Sequence, residues 1–451
     1  MRTAVIGGGA AGFFLAINLK ELCPQMHVVI FERSQHLLRK VKVSGGGRCN
    51  CTNTFADIRD LAECYPRGHR LMKRLLKGFS ERDAYDWFER HGVPLTTQAD
   101  QCVFPAAQDS QVIIDCFLSH ARRLGIEIRT NTPVTSLNLN SPLFESEEGL
   151  KRIALGPSVP DEGRHNSYAD GVKGSGAGGE SFIALTTGGQ PRLDSLRWLA
   201  DLGHEIVPPV PSLFTFSIED PQLRDLMGTV VEGAVAAIPG TKYRATGPLL
   251  ITHWGVSGPA ILKLSSYAAR HLADNAYHAP LAINWTGLNE EQARAELLAL
   301  FAANPRKQLA TLRPFGLPSR LWHYLLSKAT AGSASASASS TFGSSPAEAI
   351  SKKTLNRLVA VLTADTYTIA SRAPFKDEFV TCGGVALTAV NPVTLESRHC
   401  PHLFFAGELL DIDGITGGFN FQAAWTTAYT VAKAISSMAK ITHTKRRKIH
   451  P

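Results

Sequence analysis

Thr3-Ala-Val-Ile-Gly7-Gly-Gly9-Ala10-Ala11-Gly12 reads as a short apolar strand that runs into a glycine turn and out into a helix. In Gly7-x-Gly9-x-x-Gly12 the first glycine makes a tight turn and the second lets backbone approach a phosphate. The third lets the helix pack closely on the strand. The helix predicted over 10–22 then presents unpaired N–H groups and the positive end of its dipole to an anion, with Ala10 and Ala11 in its first turn. Val28-Val-Ile-Phe31 supplies a second strand. Glu32 follows it, 20 positions after Gly12, where a carboxylate can accept bonds from ribose hydroxyls, and Arg33 comes next. This βαβ unit grips a dinucleotide but does not separate FAD from NAD.

Phe404-Phe-Ala-Gly407-Glu408-Leu-Leu-Asp411-Ile-Asp-Gly-Ile-Thr-Gly-Gly418-Phe419-Asn420, at the other end of the chain, supplies the distinction. Glu408, after Ala406-Gly407, stands where related flavoproteins hold a ribityl hydroxyl. Gly417-Gly418 opens a last helix whose dipole favours negative charge on a flavin ring. The two ends together describe a domain interrupted by an insertion and closed around one cofactor, FAD. Lys40-Val-Lys-Val-Ser44-Gly45-Gly46-Gly-Arg48-Cys49-Asn50 reads as a cofactor-covering loop, in which three glycines permit close backbone approach and Arg48 and Asn50 supply donors. Thr187-Gly188 follows a buried strand and reads as a turn passing the cofactor. Val134 opens a strand of the type whose backbone contacts an adenine.

At 451 residues the chain calls for two or three domains. Its 44% hydrophobic and 19% charged residues describe a globular protein without a membrane-spanning run. No apolar stretch precedes the first strand, so the expectation is a cytoplasmic protein without a signal peptide. The eight cysteines include no Cys-x-x-Cys pair, which argues against a bound metal or a disulfide framework. The net charge of +8 admits an RNA-binding or RNA-modifying protein. Its most visible basic run, Lys445-Arg-Arg-Lys448, lies in a terminal tail, so the expectation is against a nucleic-acid partner. The oligomeric state is left open.

The fold class expected is α/β: a Rossmann-like FAD-binding domain interrupted by an insert with a β-barrel-like part and a helical bundle. Residues 1–190 and 375–440 form the two parts of that domain. Residues 191–374 form the insert, β-rich over 191–288 and helical over 289–374, and 441–451 form a basic tail. One helix is predicted over about 69–91, another from about 109 to Gly125, and a last over about 420–438. Short strands are expected at 126–128, 134–137, 182–186, 213–217, 229–237, 281–285, 378–381 and 402–405. Residues 141–180, with Gly174-Ser-Gly-Ala-Gly-Gly179, and the Ser/Ala run 332–341 read as solvated loops. In the insert, Leu250-Ile-Thr-His253-Trp-Gly-Val-Ser257-Gly-Pro259 places a histidine at a strand-to-helix turn. His253 is the candidate catalytic acid or base.

The motifs Ser44-Gly-Gly-Gly-Arg-Cys-Asn50, Thr252-His-x-Gly-x-Ser-Gly-Pro259, Gly383-Gly-Val385 and Gly407-Glu-x-Leu-Asp411-x-x-Gly-x-x-Gly-Gly418 resemble the bacterial NAD(P)/FAD-dependent oxidoreductases that include aminoacetone oxidase and 3-dehydro-bile-acid reductase. The resemblance spans nearly the whole chain. It implies a FAD domain of the fumarate-reductase type and places Glu32, Arg33, Lys40, Ser44, Arg48, Asn50, Val134, Glu408, Asp411, Phe419 and Asn420 around FAD. Two departures bear on the substrate pocket. Gln190-Pro-Arg-Leu-Asp194 stands where the family has Tyr-Pro and further glycines, and Cys102 replaces an arginine before Val103-Phe104-Pro105.

The function expected is a FAD-dependent oxidoreductase acting on a small molecule by hydride transfer, with NAD(P)H-linked reduction of an activated double bond preferred. With one dinucleotide fingerprint in the sequence, NAD(P)H would be a transient visitor to the substrate cleft. An amine or aminoketone oxidase using oxygen is the alternative, and a flavin-dependent RNA-modifying protein the more distant one.

Overall fold

The computed structural model describes residues 1–134, 181–330, 344–373 and 380–449, with backbone alone from 442 onward. It divides into two compact units, Met1–Pro209 with Val380–Pro451, and Val210–Phe379. The strand predicted over 134–137 (beyond Val134 itself), the 141–180 stretch, the 332–341 run and Glu378-Phe379 lie outside the described residues.

The first unit is built on a five-stranded parallel sheet in the order Leu403–Phe405, Ser181–Leu185, Arg2–Ile6, His27–Phe31, Glu127–Arg129. Arg2–Ile6 lies in the middle, so Val5 and Ile6 are covered on both sides and the strand reads as one apolar run. The helix Ala10–Leu22 is buried continuously from Ala11 to Leu19, as a helix apolar all round must be. Its Phe14 ring meets Trp87 at 4.6 Å, Trp425 at 5.1 Å and Phe79 at 5.5 Å, and these rings form the centre of the core. A three-stranded antiparallel sheet (Thr52–Asn53, Cys102–Pro105, Leu95–Thr97) flanks them.

The single helix expected over 69–91 is two, His69–Leu75 and Glu81–Arg90. Ser80 breaks it. Its hydroxyl accepts from the Asp83 N–H while the Asp83 carboxylate accepts from the Ser80 N–H, a capping box that starts a new helix after Gly78. The helix after Asp109 runs over Gln111–Arg123. The last helix begins at Phe419, as its glycines suggested, but continues to Ile449, so the backbone of the basic run is helical. No helix among the described residues is long and apolar enough to cross a membrane.

The second unit is a closed six-stranded barrel with helices against it. The strand order is Val230–Ala237, Arg244–Thr252, Gly255–Ser257, Phe216–Ile218, Asp365–Arg372, Ala279–Asn284. The closing strand Asp365–Arg372 falls inside the stretch read as helical, and it alternates buried Asp365, Tyr367 and Ile369 with outward neighbours. The helix Glu290–Ala303 starts from an Asn289 capping box with Gln292, and Ser319–Thr330 and Lys352–Ala364 complete the layer. Buried Asp365 ties layer to barrel: it accepts from Trp285 Nε1 at 3.0 Å, Tyr367 Oη at 2.5 Å and Lys328 Nζ at 2.5 Å. The chain passes between the units at Pro209–Val210 and Phe379–Val380, whereas composition suggested 190 and 374. The strand Ile206–Ser212 pairs with Val380–Val385, which carries both turning points beyond the composition change.

Candidate functional site

Segments from both ends of the chain meet within the first unit. Gly7 leaves the central strand with φ +117°, and its N–H donates to the Phe31 carbonyl at 2.8 Å. The Thr186 hydroxyl lies 3.0 Å from the carbonyls of both Ile6 and Gly7, so the turn is tied to both neighbouring strands. At Gly12 an added Cβ would fall 2.0 Å from the Gly7 carbonyl oxygen, so only glycine lets helix and turn meet. At Gly9, the N-cap, an added Cβ would meet nothing within 4 Å. No side chain caps this helix, so its first N–H groups have no side-chain partner, next to the open space at Gly9. A cradle with free donors and a glycine floor suits a pyrophosphate, and the residues present therefore fit FAD.

Around this cradle the charged groups are already fixed. The Glu32 carboxylate accepts from Gly8 N–H at 2.8 Å, and from the Ser34 N–H and hydroxyl at 2.9 and 3.0 Å. Arg33 is exposed beside it. Lys40 Nζ pairs with Glu408 Oε2 at 2.7 Å, and Glu408 Oε1 accepts from the Thr381 N–H at 2.9 Å. Gly189 passes so close that a Cβ there would lie 2.7 Å from Glu408 Oε1, which brings the Thr187-Gly188 turn over this carboxylate. Gly407 lies against Ala11, so close that an added Cβ would fall 3.0 Å from the Ala11 Cβ, and its N–H donates to Thr427 Oγ1 at 2.9 Å. Segments 7–12, 40, 186–189 and 407–408 thus converge.

The loop Ser44–Asn50 folds back on itself, with Gly45 and Gly46 in left-handed conformation and the Ser44 hydroxyl on the Val41 carbonyl at 2.9 Å. Arg48 is spent inside the protein: it stacks 4.2 Å from the Phe104 centroid and donates to the carbonyl of Gly45 and the side chain of Gln108. With its amide turned so that both ends meet partners, Asn50 donates to the Thr52 carbonyl at 3.0 Å and accepts from the Gly418 N–H at 3.3 Å, linking this loop to the start of the last helix. Cys49 is fully buried with its sulfur 3.8 Å from that of Cys51, whose thiol burial pushes well up. Its side chain faces protein.

The far end is equally braced. Asn420 holds Gly414 with both ends of its amide at 2.8 Å, and Phe419 is buried against Phe55 and Tyr65 at 5.0 and 6.0 Å. Asp411 is half-buried, its N–H on the Val385 carbonyl at 2.9 Å. Sequence reasoning missed the brace itself. The Tyr65 hydroxyl donates to the Phe419 carbonyl at 2.8 Å, and Arg67 Nε donates to Asp413 Oδ1 at 2.5 Å with a second bond to Oδ2. Asp413, two residues beyond the motif acid Asp411, was the available signal. Val134 is half-buried coil at the edge of the described residues.

His253 belongs to the second unit. It occupies the hairpin between Arg244–Thr252 and Gly255–Ser257, one strand earlier than the strand-to-helix turn expected, since the helix Pro259–Tyr267 follows Gly255–Ser257. Its exposed ring lies 4.9 Å from that of Trp254. Among the described residues, no group of three or more His, Cys, Asp or Glu side chains could hold a metal.

Known proteins resemble the chain along most of its length. The 3-dehydro-bile acid delta(4,6)-reductase of Clostridium scindens is 27% identical over 440 residues, covering 96% of this chain and 98% of that protein. The ribosomal RNA dihydrouridine synthase of Escherichia coli is 26% identical, covering 95% and 96%, and its Haemophilus influenzae namesake 24%, covering 96% and 98%. Among solved structures, 3-ketosteroid delta1-dehydrogenase from Sterolibacterium denitrificans is similar at a TM-score of 0.46 and 11% identity, covering 97% and 99%. Residues 1–434 match the family described as the HI0933-like protein Rossmann domain, and the chain belongs to that family of FAD-dependent oxidoreductases.

Proposed function

We propose that the protein adds two hydrogens across a carbon–carbon double bond conjugated to a carbonyl, with NAD(P)H as their source. The observation that carries this reading is a chemistry common to the relatives' names. A delta(4,6)-reductase of a 3-dehydro bile acid saturates a bond conjugated with a ketone, and making dihydrouridine saturates the ring bond conjugated with a uracil carbonyl. Bound FAD supplies a ring that can take up and release hydride.

The chain's own residues bind and orient. The turn Gly7–Gly12 and the N–H groups of the helix Ala10–Leu22 hold pyrophosphate, and Glu32 takes ribose hydroxyls with the lone pairs that Gly8 and Ser34 leave. The Lys40–Glu408 pair, the Ser44–Asn50 loop, Asp411 and the Gly418–Asn420 opening frame the remainder. Adding hydride to one carbon of an enone leaves an enolate, which then needs a proton at its other carbon. His253 is the acid put forward for that proton, because an imidazole can give and take a proton and its exposed ring makes no hydrogen bond among the described residues.

The test is anaerobic and in two halves. NADH or NADPH should bleach the visible flavin band of the holoprotein, and an enone or a uridine-containing RNA should restore it. Bleaching by amines alone, with colour restored by oxygen and by neither acceptor, would sink the reading in favour of an oxidase.

A further inference from the structure

Residues 64–80 contain five cations, Arg67, Arg70, Lys73, Arg74 and Lys77, and no Asp or Glu. Arg67 is committed to Asp413. The other four are all exposed and sit at i, i+3, i+4 and i+7, along one face of the helix His69–Leu75 and the turn after it. Leu71, Met72 and Leu75 on the other side are buried. None of the four cations pairs with a carboxylate among the described residues. Like charges four apart weaken a helix, and Arg70 and Arg74 stand so within His69–Leu75. Helix stability therefore does not account for the stripe.

We infer that Arg70, Lys73, Arg74 and Lys77 form a docking surface for the phosphate backbone of RNA. The stripe is about 10 Å long, about three intervals between successive phosphates of one stacked strand and so about four phosphates. A helix lying on a membrane would flank its cations with exposed apolar residues, and this one turns Leu71, Met72 and Leu75 into the core. The surface is also continuous with the candidate site. Gly68, where the helix starts, abuts Ile412 so closely that a Cβ would lie 2.7 Å from it, and Tyr65 and Arg67 hold Phe419 and Asp413. The inference deepens the proposed reading by naming its partner, and rests on that reading, through two relatives named for ribosomal RNA, in taking RNA as the polyanion.

The experiment uses the full-length holoprotein and a fluorescein-labelled, uridine-rich single-stranded RNA, with anisotropy read across salt concentrations and no electron donor present. Four phosphate contacts on a single strand give a log–log salt slope of about −2.8, or about 50-fold weaker binding between about 50 and about 200 mM salt. Replacing Arg70, Lys73, Arg74 and Lys77 together by Gln should remove most of that slope. The doubles R70Q/R74Q and K73Q/K77Q should each remove about half, so the result survives if the quadruple variant loses its flavin. R306Q/K307Q/K352Q/K353Q removes the same charge from exposed positions of the second unit and should bind RNA like the parent. Parent-like binding by both stripe doubles would overturn the inference. So would equal losses in the control, or stripe-dependent capture of phosphatidylserine vesicles without RNA binding. Because binding is read without turnover, a failed enone reduction leaves this result intact, and a failed RNA arm leaves the enone arm standing.

Discussion

Removing Asp413 from its pair with Arg67 tests whether the last-helix segment is braced as described. The Asp413 side chain has no exposed surface and that of Arg67 only 16%, and the pair joins positions 346 residues apart. Burial alone would pull the Arg67 guanidinium down, but its bonds to Asp413 outweigh this and leave it above its ordinary value. Breaking a buried pair costs about 3–5 kcal/mol because the surviving charge stays buried. Arg67 keeps some contact with water, so the lower end applies: about 3 kcal/mol, or about 150-fold in the unfolding equilibrium. Two compact units make a single global transition ill-defined. The assay is therefore urea-induced release of flavin fluorescence, which reports on the first unit. Arg67→Met and Asp413→Leu should each lose about 3 kcal/mol, and the double variant no more than either, a coupling of about 3 kcal/mol. Additive losses, or less than about 1 kcal/mol from either single change, would refute the reasoning.

Gly12→Ala and Gly9→Ala should separate fold from ligand. The first forces a Cβ to 2.0 Å from the Gly7 carbonyl and should yield unstable, colourless protein; the second adds its methyl in open space and should melt like the parent while binding FAD more weakly, as read by fluorescence titration of apoprotein. His253→Ala should leave flavin bleaching by NAD(P)H unchanged in stopped flow and slow reoxidation by substrate about 10²–10⁴-fold, the usual worth of a general acid. His204 is buried, with Nδ1 at 3.0 Å from the Leu199 carbonyl and Nε2 at 2.8 Å from Ser397 Oγ. Burial, then the nearby His399, lowers its pKa against the Leu199 bond, so the native state resists a proton that the unfolded chain accepts. Its penalty is absent above an ordinary value of about 6.5 and grows as pH falls through it, levelling once the native value is passed. His204→Gln should flatten the fall in urea midpoint between neutral and mildly acidic pH, and an unchanged slope would count against this account.

The sheet and the cradle were legible because backbone geometry dictates residue type there. Only glycine fits at Gly12, and a strand covered on both faces must be apolar, as Val5 and Ile6 are. The split at Ser80 was hidden because Leu71, Leu75, Trp87 and Phe88 keep helical spacing across it, and the capping pair with Asp83 passes for ordinary polar surface. The closing strand Asp365–Arg372 was missed because its buried positions begin with an aspartate, made tolerable by Tyr367 two residues on and by Trp285 and Lys328 from elsewhere in the chain. Arg48, Asn50 and Asn420 looked like ligand donors, and their observed bonds go to backbone and neighbouring side chains. Residue type and spacing cannot tell a donor aimed at a ligand from one that holds the loop beside it.

The central sheet recruits one strand, Leu403–Phe405, from near the end of the chain, while Val210–Phe379 is continuous. During synthesis, the continuous unit is complete 46 residues before Trp425 is made, from Phe379 to 425. At elongation speeds of about 5–20 residues per second, that gap lasts about 2–9 s. Throughout it the nascent helix Ala10–Leu22 lacks the segment carrying Trp425, against which Phe14 finally rests. The first helix thus waits, greasy and unsheltered, for the last one to emerge from the ribosome, which marks it as a stretch that chaperones should engage early.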